Sequence, residues 1–417
     1  MRILWLTGIV IPQASELIGG PKVPFGGWVS QMIAKLATLE DYTIGVATRF
    51  TSDTLLIREK DGVTYYFLPQ NKKDKFDVNS KDCLDIFDHF KPDLLHAEGS
   101  ELKYTNTFLS LWKGKNVLSL QGVLNGYEPY EYGSLNLHRY LFSWNFKNAL
   151  FAALILMNKK FVFDKRLLIE KDTIQKATNI LGRTTWDRSN SYFFNPSAPY
   201  FHCARILRPS FYKIKRNPKE VIKHSVFIGN SAQPRKGAHF VLEAIALLKE
   251  EYPGIKLYVT GHKYENNLKD WKTYFGYRAF LKRKIKELHL KDNIVFLGVL
   301  QEQEMGLQIS KMNVYVMSSV IENSPNTLGE AMIMGVPCVA SYNGGVGDMA
   351  SDGKEALHYR DNDPRMLAYQ IKRIFDDEKL ADSLSKHAIA KANLTHSPEN
   401  NLKNLLDCYQ TILSNKE

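Results

Sequence analysis

The chain has 417 residues, 44% hydrophobic and 24% charged, with a formal net charge of +11. That length exceeds one ordinary core and favours two domains, and the composition excludes a disordered chain. The basic excess suits nucleic acid, an anionic membrane face or phosphate-bearing small molecules, but no zinc-finger spacing, RNP-like motif or long Lys/Arg tail supports nucleic acid. In chain order, the first strand is expected at Ile3–Leu6. The segment around it reads as a buried strand and not a signal peptide, because no small-residue cleavage site follows. Further strands are expected at Thr43–Ala47, Leu94–His96, Asn116–Leu120 and Asn179–Leu181. Helical patterns lie between them at Trp28–Leu39, Leu84–Phe90 and Phe108–Trp112. This alternation is that of βαβ units.

A break follows at Leu207-Arg208-Pro209 and Arg216-Asn217-Pro218, where prolines bound a polar stretch. The expected division is a first domain at 1–207, a linker at 208–222, a second domain at 223–395 and a terminal segment at 396–417. The second half restarts the alternation. Strands are expected at Val226–Ile228, Lys256–Thr260, Ile294–Leu297 and Val314–Met317. Helices are expected at Phe240–Lys249, Asp270–Leu288, Glu302–Ser310 and Asn400–Ser414. The longest apolar stretch, Ala149 to Met157, is far below the ~20 residues of a spanning helix. Cys83, Cys203, Cys338 and Cys408 are scattered without CxxC spacing, as in a reducing cytosol. The expected location is therefore cytoplasmic. The mixed aromatic and basic stretch Phe142–Lys171 suits the surface of an anionic bilayer, on the inner face of the plasma membrane. A core-facing helix pair with a solvated basic face is the competing reading.

Three stretches carry candidate chemistry. Around Glu322 and Glu330, Ser324 is a helix cap and Pro325 suits the first turn, so a helix should run to Met334 and stop at Gly335. Glu322 then stands just before a helix N-terminus and Glu330 one turn inside it. The helix end at Pro325-Asn326-Thr327-Leu328, with the free N–H groups that follow the proline, is expected to suit phosphate. Carboxylates on both sides suit a ligand that also carries hydroxyls; solvated helix-end charges are the alternative. Second, Gly229 follows the Val226–Ile228 strand and lets the backbone turn tightly. Arg235 and Lys236 then project at the entrance of the helix opened by Gly237. Third, Gly26-Gly27 precedes the helix near Trp28 and permits close approach to a phosphate.

The run from Ile321 to Ser341 resembles the signature of retaining GT-B glycosyltransferases, in their large sucrose-synthase- and mannosyltransferase-like family. The match is Glu322, Glu330, Ala331, Met332, Gly335, Val336 and Pro337, an E-x7-E followed by Ala-Met and Gly-x-Pro. Ser324-Pro325 replaces the usual Phe-Gly, and Cys338 the usual Val. The resemblance implies an α/β GT-B fold of two doubly wound Rossmann-like domains facing across a cleft, with the last helix returning to the first domain. It implies that Glu322 contacts the donor sugar and Glu330 the ribose. The Gly229–Gly237 loop resembles the family's Gly-Arg-x5-Lys-Gly, whose cations bind the donor diphosphate. Lys236 and Gly237 are kept, Asn230 stands where that Arg is expected, and Arg235 is the candidate replacement. Gln121 occupies the region of a donor-contacting His and can bond a hydroxyl but not act as acid or base. Pro92-Asp93-Leu94-Leu95-His96 resembles the family's Pro-Asp-apolar-apolar-His strand, and a lone His at a strand end is more often structural than a site residue. Thr260-Gly261-His262, Leu297-Gly298 and Gly344-Gly345-Val346-Gly347-Asp348 resemble turns around the nucleotide pocket. Gly182-Arg183-Thr184-Thr185-Trp186-Asp187 resembles an element of a bacterial polysaccharide-type subset, with Arg183 facing the cleft; a capped helix start is the other reading.

The resemblance implies an enzyme that moves a hexose-type sugar from a nucleotide-diphosphate donor, UDP favoured over GDP. No metal and no cofactor are expected. The acceptor would be a glycan or a lipid-diphosphate-linked glycan in cell-surface polysaccharide synthesis. Two rivals stand beside this: a non-catalytic sugar-nucleotide or glycan binder, suggested by Asn230 and Gln121, and a sugar-nucleotide epimerase on the same fold.

Overall fold

The computed structural model describes residues 1–20, 26–71, 74, 76–135, 163–229, 231–261, 263–264 and 277–415. The aromatic-basic stretch up to residue 162 and the start of the basic helix expected from Asp270 lie outside the described residues, as do Asn230 and His262.

Contacts divide the chain into two compact units: 1–126, 164–208 and 396–417 form one, and 127–163 and 209–395 the other. In the first unit, β1 (Arg2–Thr7), β2 (Thr43–Phe50), β3 (Leu56–Lys60), β4 (Val63–Pro69), β5 (Leu94–Glu98), β6 (Asn116–Ser119), β7 (Ile180–Gly182) and β8 (Tyr200–His202) build one sheet. Its order is β3-β4-β2-β1-β5-β6-β7-β8, parallel except for β3 against β4. Strands covered on both faces read as nearly unbroken apolar runs, and β1 has five buried residues in a row from Ile3 to Thr7. The β3–β4 hairpin was not expected, although Asp61-Gly62 marks it. Both residues have positive φ, 50° and 74°, as a type I′ turn requires.

β5 is buried along its whole length, including His96 and Glu98. Each finds a partner. His96 stacks on Trp5 at 3.7 Å between ring centroids, and its Nδ1 lies 2.6 Å from the Tyr409 hydroxyl. Glu98 pairs with Arg205. Burial, with Arg205 nearby, holds the His96 pKa well below its ordinary value, so the ring is a neutral core group. Tyr409 belongs to the last helix, Pro398–Ser414, so this bond ties that helix into the first unit.

The second unit holds β9 (Ile222–Ile228), β10 (Lys256–Thr260), β11 (Ile294–Gly298), β12 (Met312–Met317), β13 (Cys338–Ser341) and β14 (Leu357–Tyr359). All are parallel, in the order β11-β10-β9-β12-β13-β14. The order reverses between β9 and β12. Ligands of doubly wound sheets bind beyond the strand C-termini at such a switch point.

Two boundaries differ from the sequence expectation. The stretch 208–222 is no free linker. Pro209–Lys213 is helical, the Ser210 amide donates to Glu302 at 2.8 Å, and the Arg216 amide donates to the Met334 carbonyl at 2.9 Å. Residues 127–135 belong to the second unit, not the first. The Gly133 carbonyl accepts from His239 Nε2 at 3.1 Å, and the Ser134 hydroxyl donates to Asp361 at 3.2 Å. Leu135 packs on the second core. His239 is buried, its pKa pushed down to about 3 by burial and Lys284. The neutral ring therefore donates from Nε2 and accepts the Tyr277 hydroxyl at Nδ1, 2.8 Å away. These contacts bury polar groups with partners, which a strand-and-helix reading of the sequence does not reveal.

Among the described residues no helix is long and apolar enough to cross a membrane. The four cysteines are free and buried.

Candidate active site

The switch point of the second sheet brings two distant stretches together. Lys236 follows β9 and Glu322 follows β12, and their side chains form an ion pair. Glu322 also accepts from the Ser319 hydroxyl at 2.8 Å, while its amide donates to Asn343 Oδ1 at 3.0 Å. Asn343 Nδ2 donates to the Ser319 carbonyl at 2.6 Å, and the Gly345 amide to the Glu322 carbonyl at 3.0 Å. The Gly344-Gly345 turn thus braces the Glu322 backbone. Burial works to raise the Glu322 pKa, but Lys236, Arg235 and the Ser319 bond outweigh it and hold the carboxyl below its ordinary value. It stays ionised at neutral pH.

The Lys236 side is built with equal economy of space. Pro234–Lys236 forms one 3-10 turn ending at Gly237, whose φ is 68°. The Val320 amide donates to the Arg235 carbonyl at 2.8 Å, and the Ser318 hydroxyl to the Lys236 carbonyl at 2.7 Å. Arg235 Nε donates to Gln233 at 3.2 Å, and its guanidinium lies over the Tyr127 ring, 5.1 Å from the centroid. The Tyr127 hydroxyl accepts from the Asn323 amide at 3.1 Å.

The signature helix runs Asn326–Met334 and ends at Gly335, in the left-handed region with φ 80°. Its N-cap is Pro325, with no side-chain cap bond, so Ser324 does not cap it. The fixed φ of proline takes the cap position and leaves Ser324 outside the helix. The Thr327 hydroxyl accepts from Tyr315 at 2.8 Å. Asn326 Oδ1 is buried with no hydrogen-bond partner among the described residues. Leu328 and Glu330 are buried, and Glu330 lies one turn inside the helix. Gly229 follows β9 and Gly298 ends β11 with φ 73°; a methyl group at either would meet none of the described residues within 4 Å. Among the described residues no three His, Cys, Asp or Glu side chains group in a metal-binding arrangement.

The candidates of the first unit make contacts within that unit. Gly26 caps the helix Gly27–Ala37 in the left-handed region, φ 80°, and Gly27 packs on the Arg208 stem. Arg183 donates to the Leu120 and Gln121 carbonyls at 2.6 and 2.7 Å, so it pins the backbone carrying Gln121. The Thr184–Asp187 capping box forms as the helix-start reading expects. Glu101, just beyond β5, was not singled out. Burial, with Glu170 and Glu98 nearby, pushes its pKa up to about 7 against the opposing pull of Arg166. The folded chain therefore binds this proton better than the unfolded chain between pH 4.5 and about 7, and stability falls as pH rises through that window. Glu101→Gln is expected to gain about 1–3 kcal/mol at pH 8 and nothing at pH 4 in denaturant titrations. An equal effect at both pH values would refute this.

Sequence reasoning missed Ser318, Ser319, Asn343 and Tyr127. Asn343 stands directly before Gly344-Gly345, a turn signal that marks it. Tyr127 carries no local signal, since its partners lie more than a hundred residues away.

Residues 213–391 match the family model described as Glycosyl transferases group 1. Spore coat protein SA of Bacillus subtilis (strain 168) is 23% identical over 194 residues, 44% of this chain and 48% of that protein. The chain spans less than half the length of the first curated relatives it matches. Sucrose-phosphate synthase (tll1590) from Thermosynechococcus elongatus matches with a TM-score of 0.75 and 15% identity, covering 99% of each chain. Anabaena Alr3699/HepE in complex with UDP matches with a TM-score of 0.69 and 13% identity, over 99% of this chain and 100% of that one. The fold is GT-B, with two Rossmann-like α/β units.

Proposed function

We infer that the protein is a glycosyltransferase of group 1 that transfers a sugar, with retention, from a nucleotide-diphosphate donor. One observation carries this reading. Lys236, Arg235 and Glu322 converge beyond the sheet's switch point, ahead of the helix end where Asn326 Oδ1 is buried without a partner among the described residues. Cations, a helix N-terminus and acceptors in one place suit a ligand with both phosphates and hydroxyls. Expulsion of the diphosphate builds negative charge on its oxygens. Lys236 and Arg235 would stabilise that charge electrostatically, and the amides at Asn326 and Thr327 would add the helix dipole. No divalent ion is needed in this scheme. Glu322 would accept hydroxyls of the donor sugar and Glu330 those of the ribose, fixing the anomeric carbon for attack. The leaving phosphate would help deprotonate the acceptor on the same face.

In the resting protein Lys236 is paired with Glu322, so donor phosphate would draw the ammonium away from the carboxylate. UDP is the favoured nucleotide, supported by the UDP complex of the structurally similar HepE. The resemblance around Arg183 favours a glycan or lipid-diphosphate-linked glycan acceptor in cell-surface polysaccharide synthesis. A cytoplasmic protein peripheral to an anionic membrane would meet such an acceptor.

Thermal denaturation with UDP, GDP, ADP and CMP, each with and without magnesium, tests the reading. Nucleotide at 100 times its dissociation constant stabilises by about 2.7 kcal/mol. The expected result is a rise in Tm with UDP that magnesium does not change. Silence toward all four would defeat it. Binding without donor turnover would favour a non-catalytic sugar-nucleotide binder, and interconversion of free sugar nucleotides an epimerase.

A further inference from the structure

We propose that Tyr127 is a positioning residue of the donor-diphosphate site, holding the Arg235 guanidinium over its ring and the Asn323 amide on its hydroxyl. The proposal rests on the reading of Lys236, Arg235 and Glu322 as the diphosphate and sugar contacts.

Tyr127 is 9% exposed, so its ring is a fixed support. Two of its contacts reach the two stretches that carry the site. The Arg235 guanidinium lies 5.1 Å from the ring centroid, within the range where a ring face attracts a cation. The hydroxyl accepts from the amide of Asn323, the residue that follows Glu322, at 3.1 Å. One side chain therefore adds a link between the Arg235 turn and the stretch bearing Glu322, beside the Val320–Arg235 and Ser318–Lys236 bonds.

The chain around Tyr127 is itself clamped to that turn. A methyl group on Gly133 would lie 2.1 Å from the Pro234 carbonyl oxygen, so the two backbones are in direct contact. The Gly133 carbonyl is held by buried His239, in the helix Ala238–Leu248 that follows Gly237. Residues 127–133 thus form a strap across Pro234–Lys236 that contributes one aromatic face. The strap matters in this sequence because Asn230 stands where an arginine is expected. Arg235 is the guanidinium left beside Lys236, and an arginine on a flexible stem loses rotamer freedom on binding unless something already holds it.

UDP and UMP titrations of the wild type and of Tyr127→Phe, Tyr127→Leu, Arg235→Ala and the double variant Tyr127→Leu/Arg235→Ala test this. Tyr127→Phe keeps the aromatic face and should bind UDP within about threefold of wild type. Tyr127→Leu fills the space without that face and should lose about tenfold toward UDP. Its UMP affinity should stay within about twofold, since the second phosphate is what Arg235 is held to meet. A collapsed site would lose both ligands alike. The double variant should be no weaker than Arg235→Ala alone, because one removes what the other positions. Wild-type affinity in Tyr127→Leu, equal losses for UDP and UMP, or additive losses in the double variant would each overturn the role of Tyr127 and leave the donor reading standing. A wild type that binds no nucleoside diphosphate would overturn both.

Discussion

Lys236→Ala is expected to lower turnover about 100- to 1,000-fold, the usual cost of removing one preorganised charge from a developing anion. The loss should fall on turnover more than on nucleotide affinity, because the diphosphate is more negative as it leaves than while bound in the donor. The same substitution has a second consequence. Glu322 is ion-paired with Lys236, and their side chains are 16% and 28% exposed. Without the ammonium, a largely buried carboxylate keeps Arg235 and Ser319 among the described residues. Fully buried pairs broken in this way cost about 3–5 kcal/mol, and partial access to water reduces the figure here to about 1–3 kcal/mol. The pH dependence separates the two effects. A carboxyl whose folded pKa is depressed stabilises the fold above its ordinary value of 4.5 and loses that contribution as pH falls through the folded value. The deficit of Lys236→Ala should therefore be full at neutral pH and vanish in acid. Adding Glu322→Gln should restore stability without restoring turnover. A steady-state assay in which Lys236→Ala turns over like wild type would remove Lys236 from the mechanism.

The sequence made the alternation of strands and helices legible because parallel strands are apolar throughout and are punctuated by glycine. β10 and the helix Glu302–Ser310 fall on their expected bounds for that reason. Short strands at sheet edges escaped. β8 and β14 have three residues each, too few for any periodicity to show. Among the candidate residues, Glu330 and Lys236 each sit beside a glycine, and Glu322 stands three residues before Pro325, which fixes their places near strand and helix ends. Ion pairing between Lys236 and Glu322 was not readable, since it depends on β9 and β12 being neighbours, a property of sheet order. Tyr127 was hidden more deeply. It reaches Arg235 and Asn323 only because its stretch of chain packs with the second unit, and nothing local to residues 127–135 says so. Ser324 misled through an ordinary capping preference, which the proline beside it overrides.

Gly237→Ala should be a strongly damaging single-methyl change in the site. Gly237 has φ 68°, and a methyl group built on it would lie 1.9 Å from the Ser318 carbonyl oxygen. The left-handed conformation alone costs an alanine about 1–2 kcal/mol. The contact adds overpacking against backbone, which cannot rotate away as a side chain can, at about 1–3 kcal/mol more. A total loss of about 2–5 kcal/mol is expected in denaturant unfolding, a large share of a domain's net stability. The direction in which the strain is relieved decides the functional effect. Ser318 stands at the end of β12, two residues before the Val320 amide that holds the Arg235 carbonyl, and its hydroxyl holds the Lys236 carbonyl. Pushing this strand end away from the Pro234–Lys236 turn loosens both bonds and separates Lys236 from Glu322. Activity should then fall further than the unfolded fraction explains, by about tenfold or more, since a shift of an ångström at a charge contact has effects of that order. Gly229→Ala is the matched control, at a glycine with no positive φ and none of the described residues within 4 Å of the built methyl. It should change stability by less than about 1 kcal/mol. Equal losses at the two glycines would mean that the close approach of Gly237 to Ser318 does not set the geometry of the pair.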